Sequence, residues 1–229
     1  MWHAKPSGAY ALNSTEATEN SLEINGMLNG ENFTLESQAG ILGNCAGESG
    51  LNPWRWYADT VDYTTAYGLF QFHPASEYFN NCQYMTGFAP NRSTSQQTSG
   101  ALPSDGYCQI NVLINDTLNK WHTSCWVPTW DTTTYAGYYQ QAQNILNTYG
   151  NGSALTLAQF KTINVIDDAV LAFLACYERP GNPESYPSRL NYANTLYSVI
   201  SGDTPVPPAP PTPTQRKKLP VWMMIKRLH

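Results

Sequence analysis

Apolar residues recur at helical spacing in several stretches of the chain, separated by polar, turn-forming segments. Leu22, Ile24, Met27 and Leu28 predict a short helix over residues 21–29, after an irregular polar N-terminal arm of residues 1–20. Thr34 has the chemistry of an N-cap, and Glu36 suits the first turn of a helix dipole. The helix it opens runs from Leu35 to Glu48 on Leu35, Ala39, Ile41, Leu42 and Cys45, and Gly50 and Pro53 stop it. Val165–Tyr177 is dense in Ala, Leu, Phe and Val and predicts a strong helix buried on most sides. Weaker helical patterns lie over Cys108–Leu118, residues 137–149, Leu157–Lys161 and Leu190–Ile200. Residues 54–72 are rich in Trp, Tyr and Thr and look β or irregular, with WYADTVDYTT reading as a β-hairpin. Residues 77–135 are otherwise loop-rich, and no internal repeat is present. The pattern predicts an α+β fold, predominantly α, with a small β-hairpin lobe, in one domain over residues 21–203.

Composition agrees with a packed globule. Of 229 residues, 41% are hydrophobic, 13% aromatic and only 13% charged, so self-repulsion does not keep the chain open. No run of 18 apolar residues exists, so no membrane-spanning helix is expected. The first residues lack an apolar core followed by a small-residue cleavage site, so no signal peptide is expected. Charge is asymmetric: residues 1–203 hold all 17 acids and 7 of the 12 Lys and Arg, a net −10, while residues 204–229 carry +5. An acidic globule with a short basic tail is a poor nucleic-acid binder. Residues 204–214, TPVPPAPPTPT, hold six prolines in eleven positions and read as a stiff polyproline linker. Residues 215–229, QRKKLPVWMMIKRLH, place a consecutive apolar run between basic clusters, the pattern of a docking peptide rather than of a purely solvated tail.

The cysteines number five, so at least one is unpaired within the chain. Cys45 and Cys176 sit in apolar helical patterns and read as buried thiols. Cys82, Cys108 and Cys125 leave three readings open: free thiols, which is the plainest; a disulfide; or a zinc site completed by His122. No cofactor is called for.

The familiar local signatures of histidine, serine and nucleotide chemistry are absent: there is no HExxH, GxSxG, Walker loop or GxGxxG. Of the four histidines, His3 and His229 lie at the chain ends and His73 sits between Phe72 and Pro74. A carboxylate remains. Glu48 follows Cys45 by three positions and Ile41 by seven, so it shares the apolar face of its helix. A carboxyl there loses hydration, which favours the protonated form that a general acid needs. Taken alone, Glu48 fits an ordinary helix end as well.

Its neighbours add a resemblance. GILGNCAGESGLNP, then AYGLFQF, then AQFKTINVIDDAVLAFLACYERPG with a later Arg189, resembles the phage tail lysozyme family over residues 21–200. These virion-carried domains are similar to goose-type lysozymes and lytic transglycosylases, which share an ES dipeptide, a GLxQ stretch and a later Tyr-containing turn. The resemblance implies a mainly helical lysozyme-like fold, peptidoglycan as substrate and Glu48 as catalytic acid. It also implies Gln71 as a cleft residue near the sugar and Tyr177 as a cleft-lining hydroxyl. Residues 77–107 and the proline-rich basic tail depart from the family pattern.

Residue chemistry sits beside that likeness. A Gln amide can donate and accept toward an acetamido arm, and Trp56 and Tyr57 suit either stacking on sugar faces or packing. YADTVDYTT is similar to the stretch that carries the catalytic Asp and Thr of phage endolysin-type lysozymes. That likeness makes Asp59 the first choice for a second carboxylate, Asp62 the second and Thr65 a water-positioning hydroxyl. Each Asp equally suits a turn. Glu178 is a further carboxylate, but beside Arg179 it reads as a structural ion pair. The implied reaction is cleavage of the β-1,4 bond between N-acetylmuramic acid and N-acetylglucosamine. A lytic transglycosylase is the runner-up; an inactive tail structural protein and a carbohydrate-binding module stay open. The implied partners are bacterial peptidoglycan and, through the C-terminal tail, phage tail proteins. The implied location is the virion, after synthesis in the host cytoplasm.

Overall fold

A computed structural model describes residues 2–5, 7–86, 104–118, 121 and 130–202, without the side chains of 82–86 and 104. The polyproline linker and the basic tail lie outside these residues. Eight α-helices carry the described fold.

α1 spans Thr15–Asn29, so it opens inside the stretch expected to be an irregular arm. Ser14 caps it, accepting a hydrogen bond from the Ala17 amide, and Glu16 occupies its first turn. The buried stripe Ala17, Ser21, Ile24, Leu28 is a regular helical face with a polar member. Ser21 is tolerated there because its hydroxyl donates to the Ala17 carbonyl, which hid the stripe from a hydrophobicity pattern.

α2 spans Leu35–Ser49, with Thr34 accepting from the Ser37 amide and Gly50 in the left-handed conformation (φ 60°) after it. The expected caps are therefore both present. α2 is the central helix, buried from Ser37 to Ala46. Its glycines let neighbours approach its backbone. A Cβ at Gly40 would lie 2.7 Å from the Ala169 carbonyl carbon, and one at Gly43 2.5 Å from the Arg189 carbonyl oxygen. Those contacts belong to α7, Ile166–Phe173, and α8, Tyr186–Ile200. α7 runs on into a π-helical turn, Leu174–Glu178, which Arg179 ends at φ 53°. α8 starts four residues before the expected helix, with Pro187 in its first turn, where a missing N–H costs nothing.

α3 (Ala75–Thr86) and α4 (Ser104–Ile114) flank the undescribed residues 87–103. α3 escaped the sequence pattern because it is mostly polar, with Tyr78 and Phe79 supplying its buried side. α5 (Ala136–Tyr149) and the short α6 (Leu157–Phe160) complete the set, α6 opening on a reciprocal capping box of Thr156 and Gln159.

The expected β-hairpin lobe is not formed among the described residues. Residues 54–72 make two isolated bridges, Trp56 with Tyr67 and Tyr67 with Phe72, and no extended strand. Two features break the ladder. Ala58 and Asp59 both take positive φ (51° and 54°), and Asp62 closes its own turn onto Thr64. Trp54, Trp56, Tyr67, Phe70 and Phe72 are all buried.

Polar contacts tie this loop to the helices. Gln109 of α4 accepts from the Leu69 amide at 2.6 Å and donates to the Pro53 carbonyl at 2.7 Å. Gly68, at φ 84°, leaves the space for it, since a Cβ there would lie 2.4 Å from Gln109 Oε1. Asp105 accepts from the hydroxyls of Tyr67 and Tyr78. The N-terminal arm binds the other side. Asn52 donates to the carbonyls of Lys5 and Gly8, and Asn20 donates to those of His3 and Leu51.

Cys45 and Cys176 are free and buried, as the pattern indicated. Cys108 is disulfide-bonded, which corrects the free-thiol reading at that position and removes its thiolate from any zinc site. His122 and Cys125 lie outside the described residues. Among the described residues no cluster of His, Cys, Asp and Glu could hold a metal, and no helix is long and apolar enough to cross a membrane.

Burial raises the pKa of Asp105 above its ordinary 3.8, against the lowering effect of its hydroxyl partners. The folded state therefore keeps a proton that the unfolded chain releases. Its stabilising contribution is full below the ordinary value and is lost as pH rises through the folded one. Asp105→Asn stays neutral, so its stability should depend less steeply on pH across that window. Urea midpoints of both proteins from about pH 3 to about pH 8 check this. Parallel curves would remove Asp105 from the account.

Candidate active site

The end of α2, the loop of residues 55–71 and the π-helical turn enclose one cleft of about 470 Å³. α2 contributes Glu48, and the loop contributes Arg55, Trp56, Tyr57, Ala58, Ala66 and Gln71. Glu178 and Pro180 close the far side. Of the residues singled out in the sequence, the cleft gathers Glu48, Trp56, Tyr57, Gln71 and Glu178.

Glu48 is set by a single arginine. Its side chain is 21% exposed, that of Arg189 only 7%. The Arg189 Nη2 group donates to Glu48 Oε1. Nη1 donates to Asn44 Oδ1 at 3.1 Å, and Nε to Ser185 Oγ at 3.0 Å. Asn44 is itself held, donating to the carbonyls of Gly40 and Val170. Gly47 lets the arginine pass, since a Cβ there would lie 2.9 Å from Arg189 Cγ. The guanidinium thus fixes one carboxyl oxygen of Glu48 and leaves Oε2 without a partner among the described residues.

Gln71 sits at φ 46°. Its amide nitrogen donates to the carbonyls of Arg55 and Gly68, both at 3.0 Å, which uses both of its hydrogens. Oε1 is left as an acceptor. Trp56 is only 1% exposed, its ring packed on Tyr63, Tyr67 and Phe79, so it walls the cleft. Tyr57 is 63% exposed and offers its ring to solvent.

The remaining candidates stand outside the described lining. Asp59 Oδ1 accepts from the Gly8 amide at 2.7 Å and lies 3.8 Å from Arg55 Nε, beside the lining residue Ala58. Asp62 Oδ1 accepts from the Thr64 amide and hydroxyl, and those bonds lower its pKa. Thr65 donates its hydroxyl to the Asp62 carbonyl. Tyr177 is buried among Phe70, Trp121 and Phe173, and burial pushes its hydroxyl pKa well up.

One cleft residue, Arg55, carried no sequence signal, and Glu178 read as a structural partner of Arg179. Arg55 was not distinguished from any other surface cation. Glu178 reaches the cleft because the π turn shifts the helix end by one residue, which no periodicity announces. Nearby Cys45 is no nucleophile: burial, then the charges of Glu178 and Glu48, push its thiol pKa well up.

A family model described as phage tail lysozyme matches residues 19–200, from within α1 to the last residue of α8.

Arg189→Met should test the clamp. It strips donors from Glu48, Asn44 and Ser185 in a mostly buried place, so we expect a loss of at least about 2 kcal/mol in urea unfolding. Arg189→Lys keeps the charge without the planar fork and should recover part of it. Unchanged unfolding midpoints would show that the contact is not structural.

Proposed function

The chain belongs to the phage tail lysozyme family, and from that premise we propose that the cleft at Glu48 cleaves the β-1,4 bond between N-acetylmuramic acid and N-acetylglucosamine. Family membership makes the chain a peptidoglycan-hydrolysing tail protein and a glycosidase-type enzyme. The muramidase assignment, the lysozyme-like fold and the residue roles are our reading. One observation carries it: a carboxyl at a helix end inside a cleft, with one oxygen held by a buried arginine and the other open.

In this reading Glu48 carries its proton on Oε2 and gives it to the leaving glycosidic oxygen as oxocarbenium character develops. Gln71 Oε1 accepts from the N–H of an acetamido arm, and Tyr57 offers a ring face to a sugar. Trp56 forms the wall that keeps the sugar in place. Tyr177 acts through packing beneath the cleft. Asp59 is the first choice to stabilise the cation or activate water, with Asp62 second and Thr65 placing that water. Glu178, which lies in the lining, is a third carboxylate for that role.

The bond from Asp59 to the Gly8 amide favours a second reading. If no aspartate reaches the sugar, the muramic C6 hydroxyl attacks instead, and the product is an anhydro sugar.

Glu48→Gln keeps size but offers no carboxyl proton, so cell-wall clearing should fall at least ~10²-fold. Near wild-type clearing would exclude Glu48 as the acid. Mass spectrometry of fragments released by the wild type decides the chemistry. Reducing ends with inactive Asp59→Asn mean water attack aided by Asp59. Reducing ends with active Asp59→Asn move the role to Asp62, or to Glu178 if Glu178→Gln is the inactive variant. Anhydro ends mean the transglycosylase.

The tail has its own role in this reading. A globule of net −10 has no electrostatic reason to collect on an anionic wall, and eleven linker residues reach on the order of 30 Å when extended. Residues 215–229 then dock onto phage tail proteins and hold the enzyme in the virion, while the linker gives it range. Deleting residues 204–229 should leave activity on soluble glycan unchanged and abolish incorporation into particles. Particles holding the truncated protein at normal copy number would refute the anchor.

A further inference from the structure

We propose that Arg55 is a specificity residue that binds a carboxylate on the muramoyl arm of the glycan, an inference that rests on the glycan-cleaving reading of the same cleft. Arg55 is the only cation among the described lining residues. The other described cations are engaged elsewhere. Lys5 donates to the Ala9 carbonyl, Lys161 lies against Glu31 and Phe33, Arg179 donates to the Cys176 carbonyl, and Arg189 holds Glu48.

The Arg55 guanidinium makes no hydrogen bond within the described fold. Its nearest acid, Asp59, is 3.8 Å from Nε, beyond hydrogen-bond reach, and both side chains are about a third exposed. Such a pair contributes little, so the arginine loses little by turning to a ligand. Asp59 does not depend on it either, because the Gly8 amide already donates to Asp59 Oδ1.

The base of the side chain is nevertheless fixed. The Arg55 carbonyl accepts from the Gly68 amide at 2.8 Å and from Gln71 Nε2 at 3.0 Å, and its own amide donates to the Asn52 carbonyl. A positioned guanidinium with unspent donors fits a carboxylate in a two-bonded fork. The acetamido groups of both sugars are uncharged, whereas the muramoyl arm supplies carboxylates, those of its stem peptide or, where no peptide is attached, that of the lactyl group. In a globule of net −10, a cation at the cleft also offsets the repulsion such a group meets. Gln71, an acceptor only, and Arg55, a donor only, would thus read two different substituents from adjoining positions.

The test compares wild type with Arg55→Gln on peptidoglycan fragments, native and with carboxylates converted to amides. On native fragments the variant should raise KM about tenfold with little change in kcat, the loss of one charge-assisted hydrogen bond. Amidation should raise the wild-type KM to the variant's level and leave the variant unaffected. Arg55→Lys should fall between. Equal KM on native fragments, or an equal loss on both substrates, overturns the proposal. On fragments that keep the stem peptide the lactyl carboxyl is tied up as an amide, so the effect there assigns a peptide carboxylate; an effect that also appears on glycan stripped of peptide, where the lactyl carboxylate is free, shows that Arg55 takes that group as well. Fragment binding by Glu48→Gln protein, with and without Arg55→Gln, separates this inference from the catalytic one. A carboxylate-dependent difference in binding supports Arg55 even if no glycan is cleaved, and equal binding refutes it.

Discussion

The close approach of α8 to α2 is the constraint on which the rest depends. Gly40, Gly43 and Gly47 lie three and four residues apart on one face of α2, where side chains would keep other helices away. Their absence brings α7 and α8 against the α2 backbone and opens the path along which Arg189 runs. At its end the guanidinium meets Glu48, one residue beyond Gly47. Backbone packing and side-chain positioning are therefore one event. The arginine is buried because its donors are spent on Asn44, Ser185 and Glu48, and the carboxyl is oriented because the arginine cannot move.

The second wall of the cleft is a loop, and its order has a different source. Residues 53–72 lack a strand ladder; turn and bridge bonds of the backbone, such as the Tyr57 amide to the Ala66 carbonyl and the Gly68 amide to the Arg55 carbonyl, hold them, and side chains add to these. Gln109 takes the Leu69 amide and the Pro53 carbonyl, and Gln71 takes the carbonyls of Arg55 and Gly68. Asn52 joins the start of the loop to the N-terminal arm. Beneath it, Trp56, Tyr67, Tyr78 and Phe79 pack as a continuous aromatic layer. These bonds and rings hold the loop in one conformation, which lets it present Tyr57, Gln71 and Arg55 with defined chemistry.

The two walls make a site that is chemically uneven. One side carries Glu48 and Glu178, the other an acceptor amide, an exposed ring and a guanidinium with unspent donors. Such a division suits a polymer whose repeating sugars are alike in their rings and differ in their substituents. In the function proposed above, acid chemistry acts on the common glycosidic bond while the loop reads what distinguishes one sugar from the next.

Local signals sufficed for much of this. The Thr34 cap, the Gly50 stop and the apolar face of α2 were legible because capping and periodicity act within a few residues, and they placed Glu48 at a helix end. The family was legible from three motifs in order. The start of α1 was hidden because its stripe is completed by Ser21, whose polarity is satisfied only by a bond to the helix itself. The hairpin expectation failed because Trp, Tyr and Thr favour strands on average, whereas here positive φ at Ala58 and Asp59 and the turn that Asp62 closes onto Thr64 decided otherwise. Gln71 looked like a donor and acceptor, but the fold spends both its donors. The pairing of Arg189 with Glu48 spans 141 residues, and Glu178 enters the cleft through a π turn. Sequence determined which residues were able to form helices and carry a proton. Only tertiary packing decided which of them face one another, because a contact between distant residues is fixed by the fit of whole helices and not by any local preference.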